Sequence, residues 1–308
     1  MTETTYDLHG LRVRSEVPLS ERRAEGDQHD VDVRWGDEVA IPADPPTGRV
    51  LALQDPDVGG CTIVETPDGH TIHFSEECNF RISSDWCSIL VDLPPGVERG
   101  FVPILLTGNV LASLLALQGE CVLHASGVRA NGRTVAILGA SGLGKSTLAA
   151  LFCAGGAKLV SDDLLRIASN GGPPRCYTGT AQIRLRPNAA ELADAFPSAA
   201  RELTADGRIA VTPERTTAQT SELDAVLIPS PSRRARRLRV RRLSEKEALV
   251  SLLSYPRVLG WQETAPVLRH FQVCAEIAER VPVFEATIPW GPPFKPDLAD
   301  ALIERIRG

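Results

Sequence analysis

A chain of 308 residues, 43% hydrophobic and 23% charged, has the composition of a folded globular protein with one large or two modest domains, which excludes a largely disordered or bilayer-embedded chain. Its net charge of -6 argues against nonspecific nucleic-acid binding. The cysteines at 61, 78, 87, 121, 153, 176 and 274 are scattered and form no CxxC pair, a usage that fits reduced thiols better than disulfides or zinc.

In chain order, MTETTYDLHG lacks the basic and apolar regions of a secretory signal, so a cytoplasmic protein is expected. Much of residues 15–48, dense in charge, Pro and Gly and with little period, predicts loop or a weakly ordered margin. RVLAL, CTIVET, HTIHF and WCSILVDL are short β-branched runs, two of them separated by the hairpin signal Pro67-Asp68-Gly69, and they predict a small β-rich N-terminal domain. The most apolar stretch, Val102 to Leu117, is interrupted by Pro103, Gly108 and Asn109. It predicts a buried helix over Arg99–Gln118 rather than a membrane span. The first domain is therefore expected over 1–118 and the second over 119–308.

In the second domain, CVLHASGV and TVAILG predict two strands joined at Asn131-Gly132, a type I′ turn dipeptide. A glycine loop, a helix over Lys145–Cys153, a Gly155-Gly156 stop and the strand AKLVSDD follow. LDAVLIP and RRLRVRRL read as a hairpin about a Pro/Ser turn. Ser244–Leu253 and Pro266–Arg280 have helical spacing, and VPVFEATIP with Asp297–Ile306 predicts a last strand and helix.

Gly139-Ala140-Ser141-Gly142-Leu143-Gly144-Lys145-Ser146 satisfies GxxxxGK[ST], with the apolar strand TVAIL running in and a helix running out. Glycines let successive N–H groups face one anion, and the helix N-terminus adds partial positive charge. Lys145 then reaches the phosphates of a nucleotide and the Ser146 hydroxyl ligates Mg²⁺. Thr147 completes the segment expected to touch the nucleotide.

Asp162 and Asp163 close the following strand, where successive side chains point to opposite faces, so one can face the metal and the other the acceptor. A helix N-cap at LVSDDLLRI is the plainer alternative. His124, on the strand whose hairpin partner feeds the glycine loop, is by itself as readily a core residue. Arg184 and Arg186 alternate about Leu185 and could reach a phosphate or an acidic substrate from one strand face, or form a solvated edge. The run Arg233–Arg242 reads as a charged edge strand or a docking stripe for an acidic peptide.

HASGV, a hairpin, GASGLGKST, one helix and GAKLVSDD together resemble the catalytic domain of the HPr kinase/phosphorylase family, whose P-loop is related to that of phosphoenolpyruvate carboxykinases. The likeness covers about Gly119 to Arg166. More weakly, RCYTGTAQIRLRPNAAEL, ELDAVLIP, RRLSEKEALVSLL and VPVFEATIP resemble the shorter HPr-kinase-related proteins, some of which belong to peptide-tailoring clusters, lasso-peptide clusters included, and phosphorylate a serine of the precursor. The resemblance implies phosphate and magnesium binding by Gly139, Gly144, Lys145 and Ser146. It also implies Asp162 as general base, Asp163 at the metal side and His124 as support of the base. Thr147 stands where the family has glutamate, and the acidic, glycine-rich segment of the bifunctional enzymes is not found, so the expectation covers neither phosphorolysis nor HPr as substrate.

The expected protein is thus an α/β P-loop kinase using ATP and Mg²⁺ on a hydroxyl, foremost a serine of a peptide or protein, with no nucleic-acid or membrane partner. The resembled family is oligomeric, which extends the expectation to a homo-oligomer. Phosphorylation of a small alcohol-bearing metabolite and a non-catalytic nucleotide-dependent regulatory module are the alternatives. No base-reading motif separates ATP from GTP.

Overall fold

Two β-strands start almost at once, because His9 and Gly10 both take positive φ (55° and 77°), the turn that matches strand twist, and fold Thr4–Leu8 back on Leu11–Ser15. The computed structural model describes residues 3–54, 60–216, 218–295 and 297–306. It is mixed α/β, with several sheets and helices, and it divides into two compact units. One draws on residues up to Glu120 and on Val258–Arg269, the other on Cys121–Arg257 and on the chain from His270 onward.

The first unit is built on an eight-stranded sheet ordered Thr4–Leu8, Leu11–Ser15, Val31–Glu38, Ser88–Leu93, Cys78–Ser83, Gly69–Phe74, Thr62–Thr66, Arg49–Leu53. Residues 15–48 are therefore not all loop: Val31–Glu38 lies inside the sheet, parallel to both neighbours. Its alternation is masked by Asp32, which is buried but held by Arg14 at 2.8 Å and Arg34 at 2.7 Å. Cys78–Ser83 is a further strand beyond those the sequence suggests. The Thr66↔Gly69 pair closes the turn at Pro67-Asp68.

Arg99–Leu117 is helical throughout and, among the described residues, is the one helix long and apolar enough to cross a membrane; 56% of its most apolar window is buried within the protein. A π-helical stretch at Leu106–Val110 lies around Gly108 and Asn109, where Thr107 and Ser113 hydroxyls donate to the carbonyls of Pro103 and Asn109, both at 2.8 Å.

The second unit centres on a six-stranded sheet ordered Lys158–Ser161, Ala125–Ala130, Arg133–Leu138, Ala225–Ser232, Val283–Pro289, Arg239–Arg242. Period-two alternation covers both faces. Val135, Ile137, Ala225 and Leu227 pack towards the helices Lys145–Ala154 and Leu298–Arg305. Ala136, Leu138, Val226 and Ile228 pack towards Glu245–Leu253 and Val273–Ile277 of the helix Thr264–Arg280. Asn131 and Gly132 take φ of 51° and 80°, as a type I′ turn requires.

Ala225–Ser232 and Arg239–Arg242 do not form the expected hairpin. Val283–Pro289 lies between them, parallel to the first and antiparallel to the second. The arginine run thus ends in an edge strand: Leu238 and Val240 cover the core, while Arg241 pairs with Glu247 at 2.7 Å and Glu285 at 3.0 Å.

CVLHASGV is not one strand either. Cys121–Leu123 belongs to a four-stranded sheet with Leu165–Ala168, Arg175–Tyr177 and Thr220–Glu222, whereas Ala125–Ala130 belongs to the six-stranded one. Its neighbour switches at the same level, from Lys158–Ser161 in the larger sheet to Leu165–Ala168 in the smaller. The residues left at this seam are His124 on one strand and Asp162 and Asp163 on the other.

Candidate functional site

The loop Gly139–Gly144 leaves the central strand Arg133–Leu138 and enters the helix Lys145–Ala154. Gly144, the residue before the helix, has φ of 80°, and a Cβ there would lie 2.5 Å from the indole of Trp290. Only glycine fits both the backbone and the neighbour. The Lys145 ammonium donates to the carbonyls of Gly139 at 2.8 Å and Ala140 at 3.2 Å, which folds its side chain across the loop. Ser141 accepts from Arg186 Nη2 at 2.9 Å.

No helix follows the aspartates, so they do not form an N-cap; the strand Lys158–Ser161 ends and Leu165–Ala168 begins. Between them the Leu164 N–H donates to the Asp162 carbonyl at 2.8 Å, closing a three-residue turn on Asp163, whose φ is 68°. Such a turn is strained for a residue with a side chain, and strain of this kind concentrates at functional sites. Thr180 clamps it, its hydroxyl accepting from Asp162 N and donating to Asp162 O, both at 2.9 Å.

The turn sends the two carboxylates to different partners. Asp162 is buried, accepts from the Ser126 hydroxyl at 2.5 Å and has the Ser146 hydroxyl close enough to favour its charged form. Burial raises its pKa, and Asp163 adds to that, while the hydroxyls of Ser126 and Ser146 pull it back. Asp163 lies 3.0 Å from Arg257, 3.3 Å from His124 Nδ1 and 3.7 Å from Arg184. Burial would raise its pKa too, but Arg257, then His124 and Arg184, outweigh it and hold the carboxyl well below its usual range. The two carboxylates thus have different company: Asp162 has Ser126 and Ser146, and Asp163 has His124 with Arg257 and Arg184.

Asp163, His124, Lys145, Ser146, Thr147, Ser141, Gly142 and Gly144 line one cleft of about 110 Å³ together with Arg184, Arg186, Asn188, Arg208 and Trp290. Arg184 and Arg186 both line the cleft, Arg184 from the edge strand Ile183–Leu185 and Arg186, exposed, from just past its end. Ala140 and Leu143 stay in the loop without lining the cleft, and Gly139 contributes its carbonyl to Lys145. Lys145, Arg184, Arg186 and Arg208 line the cleft with Asp163, and Asp206 pairs with Arg184 and Arg208 at 3.2 Å each; the remaining excess of cations makes the cleft a site for an anion. Ser126, Thr180, Arg208, Arg257 and Trp290 were not singled out from the sequence; of these only Ser126, in HASGV, lies within a stretch that strand pairing would have pointed to.

Lys145 gives the site a pH signature. Burial lowers its pKa from 10.5 to about 8, against the attraction of Asp163 and Asp162. Between those values the unfolded chain binds more protons than the folded one, so this group's contribution to stability rises with pH across that window. Cys153 and Cys176, pushed up to about 12 by burial, act in the opposite sense once unfolded thiols ionise, so the lysine is isolated by comparison with Lys145→Met. The stability advantage of Lys145→Met over the parent should shrink by about 2 kcal/mol between about pH 7 and about pH 9.5 in denaturant melts. An advantage that stays constant would show that the ammonium is not desolvated.

No family profile matches the sequence, and no curated protein does. Among solved structures, the chain is similar to the HPr(Ser) kinase/phosphatase of Coxiella burnetii at 13% identity, over 60% of this chain and 95% of that one, with a TM-score of 0.31. The likeness is remote, and the functional reading rests on the residues of the cleft.

Proposed function

We propose that this chain is a P-loop phosphotransferase that moves the γ-phosphate of ATP to a hydroxyl, with Mg²⁺ as cofactor and a serine of a peptide or protein as acceptor. The observation that carries the reading is the meeting of the glycine loop and the sheet seam in one cationic cleft. Asp163 and His124 form a polar pair on its wall, and Ser146, also on the wall, has the buried Asp162 beside it.

The residues fit the groups the reading requires. The helix Lys145–Ala154 turns its first N–H groups to the loop, a cradle for phosphate oxygens. Ser146 and Asp162 are hard oxygen donors of the kind magnesium takes. Magnesium, when bound, neutralises phosphate charge and orients the transferred group. Lys145 and Arg186 bind phosphate oxygens, Arg186 from its place on Ser141. Asp163 accepts the hydrogen bond of the incoming hydroxyl and takes its proton, and His124 holds that carboxylate in place. The low proton affinity of Asp163 suits a loose phosphoryl-transfer step, in which the hydroxyl need not be deprotonated in advance. Arg184 and Arg208, which each pair with Asp206 at 3.2 Å, exchange that partner for negative charge flanking the acceptor.

The test is transfer from [γ-³²P]ATP to a library of acidic serine peptides and to small alcohols, with and without Mg²⁺. Label should appear on a peptide serine and require Mg²⁺. Asp162→Asn should raise the magnesium needed by roughly tenfold to a hundredfold, the effect of losing one charge-assisted contact. Label on a small alcohol alone would replace the acceptor; nucleotide binding without transfer to any hydroxyl would make the chain a regulatory module instead.

A further inference from the structure

Three soft ligands from segments far apart in the chain meet within the second unit, away from the cleft residues. Cys121 lies on the strand Cys121–Leu123, and His270 and Cys274 lie on the helix Thr264–Arg280. One ligand atom of each is within 4.8 Å of those of the other two. Residues four apart share a helix face, so His270 and Cys274 both turn to the strand. The imidazole stands between the sulfurs, with Nδ1 3.6 Å from Cys121 Sγ and Nε2 3.5 Å from Cys274 Sγ.

Each separation matches the sulfur-to-nitrogen distance across a tetrahedral ion, although the two sulfurs meet different ring nitrogens. Bonds of about 2.3 Å to sulfur and about 2.0 Å to nitrogen put the two ligand atoms about 3.5 Å apart. We infer that Cys121, His270 and Cys274 form a binding site for a soft divalent transition ion of the zinc class. One ring nitrogen takes the ion after a small rotation of the imidazole. His270 is half-buried whereas both cysteines are buried, so the fourth position opens on the His270 side, where water can fill it. On binding, two S–H bonds break, their protons pass to solvent and two metal–sulfur bonds form. Two thiolates cancel the charge of a divalent ion, which suits apolar surroundings that include Leu123, Ile167, Val273 and Ile277. Sulfur and imidazole also distinguish this site from the hard-oxygen pair Ser146 and Asp162.

The site braces the strand that leads into the seam. Cys121 is three residues before His124, and Val122 between them accepts from Arg257 N at 3.0 Å, so an ion here steadies two of the three partners of Asp163, His124 and Arg257.

Cobalt(II) titration of the full-length, metal-stripped, reduced chain, followed by absorption, tests the inference. One cobalt per chain should bind with a sulfur-to-cobalt charge-transfer band in the near ultraviolet, and zinc should displace it. Cys121→Ala and Cys274→Ala should each weaken binding by at least about a hundredfold, more than removal of an outer partner does. Cys87→Ser, at an exposed thiol, should bind as the parent does. A parent chain that takes up neither ion, or a sulfur band that survives in both alanine variants, overturns the site. Since the readout is spectroscopic, failure of the kinase reading would leave it untouched.

Discussion

Asp163→Asn is expected to slow phosphoryl transfer about 10²- to 10⁴-fold, the contribution of a general base, without weakening nucleotide binding. The change is nearly isosteric, and asparagine tolerates the left-handed backbone that this residue adopts at φ 68°, so the turn should persist. What disappears is the carboxylate charge that Arg257, His124 and Arg184 share. The cleft then becomes more positive, and the affinity for ATP should hold or rise. Single-turnover transfer to an identified acceptor, measured beside ATP affinity, separates this outcome from its rival. If Asp163→Asn transfers at the parental rate while Asp162→Asn loses transfer and keeps magnesium dependence, the roles follow the sequence order after all.

The parts of the site that were legible in the sequence are the local ones. The glycine loop needs only a strand before it and a helix after it, and both are written within twenty residues. Asn131-Gly132 is likewise a two-residue decision. The seam is not local. It exists because two neighbouring strands leave one sheet for another at the same level, and no alternation pattern in CVLHASGV marks the break at His124. The strand rule gives Asp162 and Asp163 opposite directions but cannot say which faces the cleft; the positive φ at Asp163 decides that, clamped by Thr180, 18 residues from Asp162. Arg257, the nearest cation to Asp163, is 94 residues away in a stretch, YPRV, with no motif. Val31–Glu38 was hidden for a different reason: an ion-paired aspartate occupies a position where the period calls for an apolar side chain.

Lys145→Ala is the second large effect. Truncating a buried, hydrogen-bonded charge costs about 2 kcal/mol or more, about thirtyfold in affinity. Lys145 is 6% exposed and carries the charge closest to the loop. Burial disfavours its charged form in the free protein, so the side chain is held there against its own stability preference, as a binding group would be. Calorimetric titration of ATP with Mg²⁺ into the parent and into Lys145→Ala tests the central claim, that the glycine loop is the phosphate site, most directly. The account predicts a single site in the parent and at least about thirtyfold weaker binding in the variant; equal affinity in the two, or no ATP binding by the parent, would contradict it.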